Sequence, residues 1–66
     1  MTVMPLVEVT LVEGRTPDQL RTLISRLTAA VVDSVGSPKE NVRVVLREIP
    51  PTHWAAGDVT IEERRR

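Results

Sequence analysis

Pro5 is the residue whose type and position open the widest chemistry in this chain. A proline heading a strand usually means only that no ladder donor is needed there. As the first residue of a chain it is different, because its nitrogen is then a secondary amine that takes up and releases a proton. Translation from Met4 leads to that state, since a methionine before proline is readily removed. Retention of Met1-Thr2-Val3-Met4 leaves an amide with no basic lone pair. Other reactive types are sparse. The 66 residues contain no Cys and one His, His53. Disulfides and thiolate metal sites are excluded, a reducing, cytoplasmic setting is natural, and a structural zinc site is disfavoured.

The elements that must position Pro5 can be read from periodicity. Residues 6–12 alternate as a strand, with Val7, Val9 and Leu11 on one face and Leu6, Glu8, Thr10 and Val12 on the other. Glu13-Gly14-Arg15 breaks the strand. Thr16-Pro17-Asp18-Gln19 is a helix start: Thr16 caps, Pro17 suits the first helical position and Gln19 completes a capping box. Leu20, Leu23, Ile24, Leu27, Val31 and Val35 then recur at helical spacing. Gly36 is the C-terminal cap and Pro38 prevents continuation.

Residues 42–49 form a second strand rich in β-branched side chains. A helix of about 19 residues between two strands implies a right-handed parallel βαβ unit. Pro50-Pro51 ends the second strand. Residues 52–58 read as a loop carrying the chain's one aromatic residue, Trp54. Val59-Thr60-Ile61 reads as a short terminal strand. Residues 62–66 read as a charged tail, with Arg64-Arg65-Arg66 a solvated end. The fold class is α/β (α+β): a short parallel βαβ unit with a small C-terminal hairpin strand, all in one domain over residues 1–66.

Size sets the next constraint. Ordering the chain costs roughly 1.5 kcal/mol per residue, about 100 kcal/mol in all, and a core this small rarely offsets that widely. With disulfides and metal set aside, self-association is the remaining aid. One helix covers one face of a two-stranded sheet. The other face, bearing either Val7, Val9 and Leu11 or Leu6 and Val12, is left for other copies of the chain. Nine basic residues balance nine acidic ones, so nothing points to nucleic acid or to a membrane surface. No apolar run approaches the ~20 residues of a membrane span. The first four residues lack the basic region and the length of a signal peptide.

Pro5 at the head of a strand, Val12-Glu13-Gly14-Arg15 at its end, Val42-Arg43-Val44 in the second strand and His53-Trp54 after it resemble the 4-oxalocrotonate tautomerase family. The similarity runs ungapped from Pro5 to about Trp54. It implies a proline amine that moves a proton between an enol or dienol acid and its conjugated 2-oxo acid, with no metal and no cofactor. Pro5 matches the family's catalytic proline. A base near its working pH is needed, and adjacent cations and an apolar pocket both disfavour the protonated amine. Arg15 and Arg43 match the family's two substrate-binding arginines. Guanidinium offers each carboxylate of a dicarboxylate or 2-oxo acid a bidentate fork. On this resemblance Arg43 polarises the 2-oxo acid end, Arg15 holds the distal carboxylate and Trp54 walls the pocket.

In the family the arginines can come from neighbouring subunits, so the resemblance also implies a homo-oligomer, a hexamer built as a trimer of dimers. His53 is read as a loop residue. Residues 55–58 depart from the glycine-rich stretch of well-known members. Two alternatives stay open. One is a non-catalytic or hetero-oligomer subunit with Pro5 blocked by residues 1–4. The other is a relative of the 3-haloacrylate dehalogenases, which need a carboxylate where this chain has Ala55 and Ala56.

Overall fold

The computed structural model describes residues 4–66. Of the prefix ahead of Pro5, residues 1–3 lie outside the described residues. Strand β1 is Leu6–Val12 and strand β2 is Arg43–Ile49. Helix α1, Pro17–Val35, joins them with 19 residues, about 28 Å of helix. Its start follows from local chemistry. The Thr16 hydroxyl accepts the Gln19 N–H at 3.1 Å, and the Gln19 side chain accepts the Thr16 N–H at 2.9 Å. Its end is set by Gly36 at φ 70, whose N–H donates to the Val32 carbonyl. That left-handed backbone is cheap only without a Cβ. Beyond Pro38, a 3₁₀ turn over Lys39–Asn41 takes Val42 as its cap. Strand β2 therefore begins one residue later than its β-branched run suggests.

The two strands pair in parallel, from Leu6 opposite Arg43 to Val12 opposite Ile49. Strand alternation then sorts the side chains. Val7, Val9, Leu11, Val44 and Leu46 are half-buried, whereas Leu6, Glu8, Thr10, Arg43, Val45 and Arg47 are exposed. Val7 shares a groove with Leu27 and Val31 of α1. The helix thus covers the Val7 face, and the Leu6 face is the open one.

The segment after β2 is more ordered than its sequence suggests. A 3₁₀ turn over Pro51–His53 leads into a two-stranded antiparallel hairpin, β3 (Ala55–Ala56) and β4 (Val59–Thr60). Gly57 and Asp58, at φ 58 and 66, make the two-residue turn with both angles positive that matches strand twist. Ile61 does not extend the strand. It opens helix α2, Ile61–Arg64, in place of the expected charged tail. Thr60 caps this helix and Glu63 reaches back to the Thr60 N–H at 2.8 Å, a second capping box. Arg66 pairs with Glu62 at 2.9 Å, and Arg64 donates to the Ala56 carbonyl at 3.3 Å. The basic run is exposed as expected, but it is tied back to the arm rather than frayed.

Among the described residues, no hydrophobic side chain is buried, and Ser37 is the one buried polar residue. The Cα radius of gyration is 15.3 Å, against about 11 Å for a compact domain of this length. Met4, Leu6, Val35, Val45 and Val59 stand exposed. This is the deficit that self-association would fill.

Candidate active site

The register of the sheet decides which site residues meet. Pro5 immediately precedes β1, and its carbonyl accepts the Arg43 N–H at 3.0 Å. The proline and the first residue of β2 are therefore linked through the backbone ladder, although 38 positions separate them. Pro5 is half-buried. It borders an apolar groove of ≈ 440 Å³ whose wall includes Leu6, Val7, Leu27 and Val31. Two of those residues belong to α1, and the sequence reading did not connect them with Pro5. Their helical spacing, once α1 is laid over Val7, was the available signal.

Arg43 projects from the open face and is exposed. Its Nη1 donates to the Glu40 carbonyl at 2.9 Å. The 3₁₀ turn that delays β2 thus steadies one edge of the guanidinium and leaves the rest of the fork available. Glu40 was not anticipated, because the acceptor is a backbone carbonyl and leaves no trace in residue type.

Arg15 and Trp54 lie at the other end of the sheet. The Glu13 N–H donates to the Ile49 carbonyl at 2.9 Å and closes that end. Arg15 follows in the connection to α1 and is exposed. Trp54 caps the 3₁₀ turn after β2, is half-buried, and accepts the Ile61 N–H at 2.8 Å through its carbonyl. Seven strand residues separate the two ends, roughly 23 Å at about 3.3 Å per residue. One chain links the backbones of Pro5 and Arg43 at one end of the sheet and holds Arg15 and Trp54 at the other.

His53 is exposed at the end of its turn, where its N–H is bonded to the Pro50 carbonyl. Among the described residues no cluster of three or more His, Asp or Glu could hold a metal ion. Nor is any helix there long and apolar enough to cross a membrane. Among the described residues, Glu63 has a clear displacement of its acidity. The backbone hydrogen bond to Thr60, then the one to its side chain, holds the carboxyl below the ordinary glutamate range.

Comparison with known proteins shows the family. The family model described as tautomerase enzyme matches residues 5–64, so its first matched position is Pro5. A probable tautomerase of Ralstonia nicotianae is 48% identical over 56 residues, 85% of this chain and 80% of that protein. A 2-hydroxymuconate tautomerase of Comamonas testosteroni is 35% identical over 60 residues, 91% of this chain and 95% of that protein. The crystal structure of TomN, a 4-oxalocrotonate tautomerase homologue of the tomaymycin biosynthetic pathway, superposes with a TM-score of 0.89. It is 46% identical and covers 92% of this chain and 94% of its own. A heterohexameric 4-oxalocrotonate tautomerase from Chloroflexus aurantiacus gives 0.86 at 37% identity, covering 91% and 97%. The chain belongs to the tautomerase family, whose members are isomerases. Within that family its fold is that of the 4-oxalocrotonate tautomerases.

Proposed function

We propose that this tautomerase interconverts 2-hydroxymuconate-type dienols and their conjugated 2-oxo acids, with a free Pro5 amine as acid and base. The observation that supports this reading is the backbone hydrogen bond that sets Arg43 beside Pro5 at the head of the ladder, with the guanidinium on the open side of the sheet and an apolar groove on the helix side of Pro5. The neutral amine takes the proton that leaves the dienol and returns it to a carbon of the conjugated chain, so the reaction is an isomerisation with no net proton change. Arg43 faces the carboxylate and oxygen of the 2-oxo end, where negative charge develops. Arg15 holds the distal carboxylate and Trp54 keeps water out. The 2-hydroxymuconate tautomerase relative supports the dicarboxylate as substrate.

The same reading requires assembly. Arg15 and Trp54 reach Pro5 only from a neighbouring copy, because their own chain holds them at the far end of the sheet. A homo-hexamer, a trimer of dimers, satisfies this. The heterohexameric neighbour favours a second reading, a mixed assembly in which some subunits retain residues ahead of Pro5 and supply only arginine and tryptophan. Two measurements test these readings. Ketonisation of 2-hydroxymuconate is followed for a form that begins at Pro5 and for one that begins at Met1. Activity confined to the Pro5 form supports the proline as base, and equal activity in both removes it from the chemistry. Native mass spectrometry of the protein from its own cell, with identification of the first residue, separates the homo-oligomer from the mixed one.

A further inference from the structure

The open sheet face carries three charged side chains in a short space, and one of them is a competitor for the site. On this face Leu6, Glu8 and Thr10 of β1 stand opposite Arg43, Val45 and Arg47 of β2. Glu8 is opposite Val45, so an arginine lies diagonally to either side of it. Diagonal neighbours on a sheet sit about 7–8 Å apart, within reach of long side chains. A carboxylate placed there lies between the two arginines. It pairs with Arg47, Oε1 to Nη2 at 3.2 Å. Arg43 is turned instead to the neutral Glu40 carbonyl. Among the described residues the ion pairs are Glu8 with Arg47 and Glu62 with Arg66. The guanidinium of Arg43 therefore carries no carboxylate partner.

Stability is a poor reason for the Glu8–Arg47 pair. Both side chains are about half exposed, 48% and 51%, and such pairs contribute little to folding. Its geometric consequence is larger, because it removes the one carboxylate of this sheet face from Arg43. We propose, resting on the assignment of Arg43 to a substrate carboxylate, that Arg47 is a positioning residue that holds Glu8 away from Arg43. The substrate carboxylate then meets an arginine that need not first break an internal ion pair. Arg47 touches neither substrate nor the reacting atoms. It acts through Glu8 alone.

The effect should fall on binding. Once substrate has displaced Glu8, the Pro5 chemistry is the same, so KM changes and kcat does not. Arg47→Met keeps the apolar stem and removes the charge. With an exposed competing pair of ordinary strength, KM for 2-hydroxymuconate should rise about 2- to 6-fold. The double variant Glu8→Gln/Arg47→Met removes the competitor too and should return KM to the wild-type value. Steady-state kinetics of both are measured in the Pro5-start form, beside Arg43→Ala. A raised KM in the single variant that the double variant restores supports the role of Arg47. An unchanged KM in Arg47→Met overturns it. So does a raised KM that Glu8→Gln does not relieve, or a loss confined to kcat. Wild-type kinetics in Arg43→Ala would remove the substrate role of Arg43 itself, a failure distinct from that of Arg47.

Discussion

The two ends of the β1–β2 sheet are furnished differently. At the Pro5 end, one chain supplies a proline, an apolar wall on the helix side of the sheet and an arginine on the open side, with the ladder joining the proline and the arginine through the backbone. At the far end it supplies an arginine and a tryptophan, both a sheet's length from Pro5. The polarity of a parallel sheet causes this. Both strands begin at one end and finish at the other, so residues that head β1 and β2 meet, and residues that follow them meet elsewhere. On the proposed function, a symmetric oligomer would resolve the separation by bringing the far end of one copy to the near end of the next.

The largest effect expected is at the near end. Acylation of Pro5 by a retained residue removes its lone pair, and losing a general base costs about 10²- to 10⁴-fold in kcat. The comparison would break if the Met1-start form turned over 2-hydroxymuconate as fast as the Pro5-start form.

Removing an arginine from either end should cost less. Losing a charge-assisted pair of about 1.5–3 kcal/mol lowers kcat/KM by ~10- to 150-fold. Arg15→Ala should act mainly on KM and Arg43→Ala on kcat as well. A sharper measurement mixes chains. An inactive Met1-start chain with intact Arg15 is refolded together with a Pro5-start Arg15→Ala chain. If the ends meet between copies, roughly a quarter of the sites regain a free proline and a foreign Arg15 by random assortment. No recovered activity beyond that of the separate variants would place both ends of the site in one chain.

The smallest effect concerns the arm that follows Trp54. Thr60→Ala removes a helix cap and should destabilise α2 by about 1 kcal/mol, read as faster amide exchange at Glu63. Glu63 adds a pH dependence whose sign is fixed. Its carboxyl is more acidic in the folded arm than the ordinary value of 4.5. Its contribution is therefore complete above pH 4.5 and fades as pH falls through the depressed folded value. Glu63→Gln keeps the side-chain acceptor and should abolish that dependence. Protection of the Thr60 amide, relative to its intrinsic exchange rate at each pH, that stays flat below pH 4.5 in the wild type would contradict the capping role of the ionised carboxylate.

Much of this was legible before any coordinates. The Thr16–Gln19 capping box, the Gly36 stop and the alternation of residues 6–12 each depend on neighbours a few positions away, and all three stand. What escaped depends on distant or unlabelled partners. Glu8 has no local reason to choose Arg47 over Arg43; only the register brings all three together. The carbonyl of Glu40 is invisible in residue type. The small C-terminal hairpin was expected and is present; its bounds escaped because its strands are two residues each, too short for periodicity to register, although Gly57-Asp58 is a recognised turn signal. Likewise Thr60 and Glu63 have the spacing of a capping box, hidden by reading residues 62–66 as a tail.

The lack of any buried apolar side chain in the described chain has a consequence for how this protein melts. If most burial occurs between copies, unfolding is coupled to dissociation, and mass action enters the equilibrium. The midpoint temperature is then a function of protein concentration, rising as the solution is made denser. Refolding from denaturant acquires a step whose rate grows with the number of chains present. For such a molecule a single melting temperature describes a sample rather than a sequence.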